Sequence, residues 1–154
     1  MKMNREILFR GKSANTGEWV EGFCVQFGET YSNIIIREIG KLNLYGVVPI
    51  YEHEIVISET VGQYTGLKDK NGRKIFEGDI VRRFNRNGQE IMSYVVEWYS
   101  DCCMFVLDCI DFDMEFDTDF TVFYGDEFEI VGNIHDNPEL VRKDEENGSS
   151  YKSD

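Results

Sequence analysis

Short apolar runs separated by turn residues dominate this chain, and they restrict it to a β fold. The clearest runs are EWVEGFCVQF, YSNIIIREI, VVPIYEHEIVIS, FEGDIVRRF, IMSYVVEWYS, CMFVLDCI and FEIVGNI. Each has the length and the β-branched or aromatic content of a strand, and no stretch keeps the 3.6-residue period of a long helix. We therefore predict a mainly β fold whose many short strands have barrel-like spacing.

Glycines and prolines mark where these strands end. Asn71-Gly72 and Asn87-Gly88 predict hairpin turns, because these residue types accept positive φ. Glu77-Gly78-Asp79 predicts a second tight turn that begins a strand. Pro49 predicts an edge strand or a bulge, since proline cannot donate to a sheet. HDNPELVRK, with Pro138 at the first helical position, predicts one short C-terminal helical turn.

The chain has 154 residues, enough for one ordinary domain or two very small ones. Glycine punctuation and a shift in charge near residues 58–66 suggest a division. We predict an N-terminal β segment over residues 1–60, a small β-barrel over 61–141, and a disordered polar tail over 142–154. Whether the first two segments share one core is left open.

Negative charge is concentrated in the second half of the chain. The net charge is −13, and residues 87–141 contain 14 Asp and Glu but no Lys or Arg. Such a field repels phosphates, so direct binding of nucleic acid is disfavoured. It favours a basic protein partner, a cation or simple solubility.

The acids cluster most tightly in IDFDMEFDTDF, where they alternate with apolar residues. On a strand, one face of this segment would carry only carboxylates. We interpret the segment either as a solvated edge that prevents aggregation or as a surface for a basic partner, including one that normally binds DNA. The candidate partner-binding residues are Asp108, Asp111, Asp113, Glu115, Asp117 and Asp119.

No sequence pattern points to catalysis, a metal or another cofactor. Phosphate-loop, G-x-S-x-G and H-E-x-x-H patterns are missing, and an EF-hand loop beginning at Asp113 would lack its Gly and Glu. The cysteines lack zinc-knuckle spacing. Neither a membrane span of about 20 apolar residues nor a secretory signal is recognisable. We expect a cytoplasmic, non-enzymatic protein without a cofactor.

Four stretches of the sequence together resemble the YopX family of small phage and prophage proteins from Gram-positive hosts. They are MNREILFRGKSANTGEWVEGF, ETVGQYTGLKDKNGRKIFEGDIV, VEWYSDCCMF and EIVGNIHDNPEL. The resemblance spans most of residues 4–141. It implies an SH3-like barrel in the second half and a bacterial host cytoplasm, but it implies no activity, since the family has no established biochemical function.

The functional expectation is an acidic, phage-encoded protein that binds a host or phage protein. The partner would be basic or nucleic-acid-binding, and DNA mimicry or an anti-defence or regulatory role would follow from the same charge. The alternatives are an assembly protein that forms a homo-oligomer and a small-ligand binder.

Overall fold

The computed structural model describes residues 6–27, 32–43, 45–85, 87–111, 118–119 and 127–141. These residues form eleven strands and two 3₁₀ turns, at Ser58–Thr60 and Pro138–Leu140. The strands are β1 (Phe9–Lys12), β2 (Trp19–Phe27), β3 (Ser32–Asn43), β4 (Val47–Val56), β5 (Gly62–Lys68), β6 (Lys74–Phe76), β7 (Asp79–Phe84), β8 (Glu90–Tyr99), β9 (Met104–Cys109), β10 (Thr118–Asp119) and β11 (Phe128–Asn133). The predicted mainly β class and the short C-terminal helical turn are therefore confirmed.

Two antiparallel sheets contain these strands. The first has the order β4-β3-β2-β1-β5-β6, and the second has the order β10-β9-β8-β7-β11. Neither sheet closes into a barrel, which corrects the SH3-like barrel expected for the second half. Barrel closure needs hydrogen bonds between first and last strands, and no such pairing joins β10 to β11 within the described residues. The tail over 142–154 lies outside the described residues, and the division at residue 60 stays a prediction.

The first sheet curls so that its edge strand returns to β1. Ser13 forms a bridge with Val56, and the amide of Ile57 donates to the carbonyl of Lys12 at 2.9 Å. The concave side buries Ile35 and Val56. Gly22 faces this side, where a Cβ atom would overlap the carbonyl oxygen of Ile36. The curl therefore depends on glycine at this point, where β2 and β3 approach each other closely.

Aromatic and aliphatic side chains form the core of the second sheet, and the first sheet contributes to it. The buried cluster comprises Ile75, Val81, Tyr94, Val96, Phe105, Leu107, Cys109 and Phe128. Ile75 comes from β6, and the partly buried Leu67 of β5 packs against the same cluster. Burial of such side chains stabilises each by about 1.5–3 kcal/mol relative to exposure. The β5–β6 hairpin thus joins the two sheets.

The predicted turns lie where the sequence placed them. Gly72, Gly78 and Gly88 have φ values of 79°, 80° and 75°, in the left-handed region that glycine tolerates best. β4, which contains Pro49, is an edge strand of the first sheet as predicted. Within the described residues, no helix is long and apolar enough to cross a membrane.

Candidate binding site

A buried ion pair joins the two sheets at the start of β7. The carboxylate of Asp79 is almost fully buried, lies 2.6 Å from Nη2 of Arg10, and accepts a 2.8 Å hydrogen bond from the amide of Phe76. Burial raises the pKa of Asp79, and the Arg10 guanidinium opposes that shift. The Arg10 guanidinium also lies near two rings, 4.6 Å from the centre of Trp19 and 4.9 Å from that of Phe76. These cation–π contacts and the ion pair with Asp79 together position Arg10.

Asp136, in the turn that follows β11, forms the second link to the first sheet. It accepts hydrogen bonds from Nδ2 of Asn133 at 2.8 Å and from Nε1 of Trp19 at 2.7 Å, and it pairs with Lys12. These donors hold the pKa of Asp136 well below its usual range, with the Asn133 bond as the largest cause. Three donors therefore hold this carboxylate, although the side chain of Asp136 is 37% exposed.

The cleft beside these two links has a volume of about 380 Å³ and is open to solvent. Its polar walls comprise the side chains just described together with Glu21 and Arg73. Arg73 itself binds the buried Asp69 through Nε at 2.8 Å and the carbonyl of Ile130 through Nη2 at 2.7 Å. Because most of these polar groups pair within the protein, with the buried Nε of Arg10 as an exception, we interpret this cleft as a structural joint.

A second, smaller cleft lies on the other side of Gly78 and has a different character. Its volume is about 220 Å³, and its walls include three carboxylates from separate parts of the chain. Glu59 lies in the first 3₁₀ turn, Glu77 in the turn before β7, and Glu97 in β8. Trp98, which is 40% exposed, and the ring of His135 complete the walls. We call this site the acidic cleft.

The electrostatics of the acidic cleft suit a cation. Among the described residues that line it, none is Lys or Arg. Burial raises the pKa of Glu77, opposed by a 3.4 Å bond from the amide of Gln63. Burial, followed by the charges of Arg10 and Lys12, lowers the pKa of His135, so the imidazole is neutral at pH 7. A guanidinium or ammonium entering the cleft would therefore meet negative charge.

Two of the predicted partner-binding acids are described with their side chains. Asp108 is exposed on β9 and lies directly opposite Val95, which lines the acidic cleft. It shares a sheet face with Glu97, which pairs with Val106 two residues before Asp108. Asp111 is also exposed, but it accepts a 2.7 Å hydrogen bond from the amide of Ser93. Asp108 thus extends the negative surface of the cleft, whereas Asp111 has a structural role.

The remaining predicted acids are only partly covered by the structure. Asp119 is the last residue of β10, and its backbone pairs with Val106. Val106 of β9 also pairs with Glu97 of β8, so Asp119 and Glu97 lie on the two strands that flank Val106. Asp113, Glu115 and Asp117 lie outside the described residues, so the proposed row of acids stays a prediction.

Sequence reasoning missed the acidic cleft itself. Glu59, Glu77 and Glu97 are separated by about 20 residues each, and none belongs to a recognisable motif. Glu77 was included only in a predicted turn, and that structural role is confirmed. The one local signal in the sequence was the dipeptide Glu97-Trp98, an acid followed by an aromatic residue near the end of a strand.

The cysteines and histidines are not arranged as a metal site in the described part of the chain. Cys109 is buried in the core of the second sheet, whereas Cys102 and Cys103 are exposed at the turn between β8 and β9. No cluster of three His, Cys, Asp or Glu residues with metal-binding geometry occurs among the described residues.

Comparison with known proteins identifies a family and similar solved structures. The family model described as YopX protein matches residues 8–142. A crystal structure of protein EF1440 from Enterococcus faecalis is similar, with 24% sequence identity and a TM-score of 0.48. The similarity covers 90% of this chain and 100% of that one. No curated protein matches the chain.

Proposed function

Because the chain belongs to the YopX family, a name that specifies no activity, we propose a function from its geometry: it binds a basic segment of another protein. One Lys or Arg side chain of the partner enters the acidic cleft, and neighbouring basic residues meet Asp108 on the adjoining face. The protein is phage-encoded, non-enzymatic and acts in the cytoplasm of the bacterial host. A host protein that binds nucleic acid, whose basic surface normally meets phosphates, has the required chemistry.

The observation that carries this proposal is one cleft whose described lining includes Glu59, Glu77 and Glu97 together with Trp98 and contains no Lys or Arg. A cavity of about 220 Å³ is smaller than the roughly 300–1,000 Å³ typical of small-molecule sites. It matches one long side chain better than a metabolite. A cation above the Trp98 ring would gain about 0.5–2 kcal/mol in addition to its attraction to the carboxylates.

The larger cleft supports the non-enzymatic part of the proposal. Glu21 pairs with Lys74 at 3.3 Å, and the other two carboxylates of this cleft, Asp79 and Asp136, are each held by a cation and by neutral donors. A general acid or base must reach a substrate with a proton to exchange. Neither carboxylate can do this without breaking a link between the sheets.

The direct test is a binding titration with a short oligoarginine peptide, followed through Trp fluorescence. We expect binding that weakens steeply as salt is raised, since Debye screening acts on exposed charge pairs. Glu59→Gln combined with Glu97→Gln should weaken binding by about tenfold. A Trp98→Phe variant should lose most of the fluorescence change and so identify its origin.

The matched control is Glu18→Gln combined with Asp101→Asn, which removes the same charge at two exposed positions outside the cleft. If the cleft variant binds the peptide no more weakly than this control, attraction is due to net charge alone and the cleft proposal is wrong.

Purification of the tagged protein from infected cells then tests the identity of the partner. We expect a basic protein that is retained by the native chain and lost by the cleft variant. Competition by duplex DNA would support DNA mimicry. Retention of only acidic or neutral proteins would contradict the proposed charge complementarity.

A further inference from the structure

The hairpin formed by β3 and β4 extends beyond the rest of its sheet. β2 pairs with β3 from Ser32 to Ile36, whereas β3 continues to Asn43 and remains paired with β4. Residues 37–52 therefore form a two-stranded arm within the described part of the fold. A two-stranded ribbon is only marginally stable in water, and a third layer or strand is normally needed to support it.

The convex side of the first sheet, which leads into this arm, is apolar. Two rows of side chains cross it, Val25–Ile34–Ile55 and Phe23–Ile36–His53. Phe23 and Ile55 are 56% and 50% exposed. Of the three consecutive isoleucines 34–36, only Ile35 is fully buried, because the curl of the sheet covers one side alone.

The apolar surface continues along the arm toward its tip. Val47, Pro49 and Tyr51 lie on the same side of β4, and all three are exposed. Tyr45, at the turn, is fully exposed. We define the convex face as the apolar side chains Phe23, Val25, Ile34, Ile36, Tyr45, Val47, Tyr51 and Ile55. Along the arm, Glu38, Lys41 and Asn43 of β3 lie opposite Tyr51, Pro49 and Val47, so the apolar part of this face is carried by β4 and the turn. An exposed apolar surface of this extent marks an interaction site.

The charge of the arm differs from that of the rest of the protein. Residues 37–52 contain two cations and two anions in a chain whose net charge is −13. These charges pair within the arm, Arg37 with Glu52 and Lys41 with Glu38 at 3.6 Å. The arm therefore presents no field that would attract a basic partner. It is also the region where two copies of this acidic chain repel each other least.

We propose that the convex face is a homodimer interface, in which two copies pack face to face about a two-fold axis. Five half-exposed to fully exposed side chains, Phe23, Tyr45, Val47, Tyr51 and Ile55, offer roughly 100 Å² each, or about 500 Å² per chain, to which the partly exposed Val25, Ile34 and Ile36 add toward the roughly 800 Å² per partner of a standard interface. Face-to-face packing is favoured over edge-to-edge pairing because Pro49 lies in the edge strand. The partner copy supplies the layer that the two-stranded arm lacks.

The test is sedimentation equilibrium of the full chain, with protein varied up to about 100 μM because dimer formation follows mass action. We expect a mass that rises from 18.0 kDa toward twice that value. Raising NaCl from about 0.05 M to about 0.5 M should strengthen self-association, because it screens repulsion between two acidic chains. The proposed contact with a basic partner should weaken under the same change, so the two proposals can fail separately.

A matched pair of variants locates the interface. Ile55→Asp on the convex face should weaken dimer formation by about 30-fold or more. Ile91→Asp, on β8 at 45% exposure, adds the same charge elsewhere and should leave it unchanged. Thermal melts check that both variants fold. If Ile55→Asp does not fold, Phe23→Ser replaces it with the same expected loss of dimer.

Three results would overturn the proposal. A native chain that stays monomeric at the highest concentration would show that two copies do not associate. Equal effects of Ile55→Asp and Ile91→Asp would place the contact elsewhere. Capture of a different protein by the convex face, with no self-association, would replace the second copy by that partner.

Discussion

Replacing Asp69, the single carboxylate of the β5–β6 hairpin, with alanine should destabilise the protein strongly. The side chain of Asp69 is completely buried. Oδ1 accepts hydrogen bonds from the amides of Asn71 and Arg73, both at 2.9 Å, and Oδ2 accepts one from the amide of Ile130 at 3.1 Å. One carboxylate thereby shapes the turn of the first sheet and attaches it to β11 of the second.

The magnitude follows from the donors that alanine would leave unpaired. Each buried donor that loses its partner costs about 1–3 kcal/mol. Asn71 and Arg73 are exposed turn residues, so water can replace part of what their amides lose, whereas the amide of Ile130 lies in the joint between the sheets. We therefore expect Asp69→Ala to lower the free energy of unfolding by about 3 kcal/mol, a large fraction of the usual 5–15 kcal/mol.

Urea denaturation followed by far-UV circular dichroism would measure this loss as a lower midpoint at an unchanged slope. Asp69→Asn keeps one acceptor oxygen but turns an amide NH₂ group toward the donors of Ile130 and Arg73. It should therefore lower the free energy of unfolding by about half as much as Asp69→Ala. Asp101→Ala, at an exposed turn, is the control and should change stability by less than about 0.5 kcal/mol. The reasoning would be refuted if Asp69→Ala and Asp101→Ala had the same midpoint.

Two further predictions follow from the joint and from the curl of the first sheet. The pKa of Asp136 is lower in the folded than in the unfolded state, so its stabilisation is complete above the unfolded value of about 3.9 and is lost as pH falls below it. Asp136→Asn should therefore lower the melting temperature at pH 7 but have a smaller effect at pH 2, measured by calorimetry. Gly22→Ala should cost about 1–3 kcal/mol, because the added Cβ meets backbone, whereas Gly40→Ala, with its nearest atom 4.0 Å away, should be nearly neutral in the same melts.

Local chemistry explains which parts of the fold could be predicted. Hairpins at Asn71-Gly72 and Asn87-Gly88 depend on residues that accept positive φ, and this preference belongs to the residues themselves. The Pro138 turn is predictable for a similar reason, since proline fixes φ for the start of a helix. The expected barrel was wrong because strand content and spacing do not specify whether a sheet closes.

The candidate sites depend on contacts that no local pattern contains. The acidic cleft combines carboxylates from a 3₁₀ turn, a tight turn and a strand of the other sheet. The sequence alone identified a different set of acids, of which Asp108 borders the cleft. Charge composition pointed to residues 87–141, whereas two of the three cleft carboxylates, Glu59 and Glu77, lie outside that range.

By itself, the amino-acid sequence determined the β class, the positions of the turns and the concentration of acids in residues 87–141. Those properties depend on neighbouring residues and on simple counts. Only the tertiary structure decided that Ile35 is buried while Ile34 and Ile36 lie on a convex face. Alternation distinguishes the two sides of a strand, but burial depends on whether another layer covers each side, and that is a property of the whole fold.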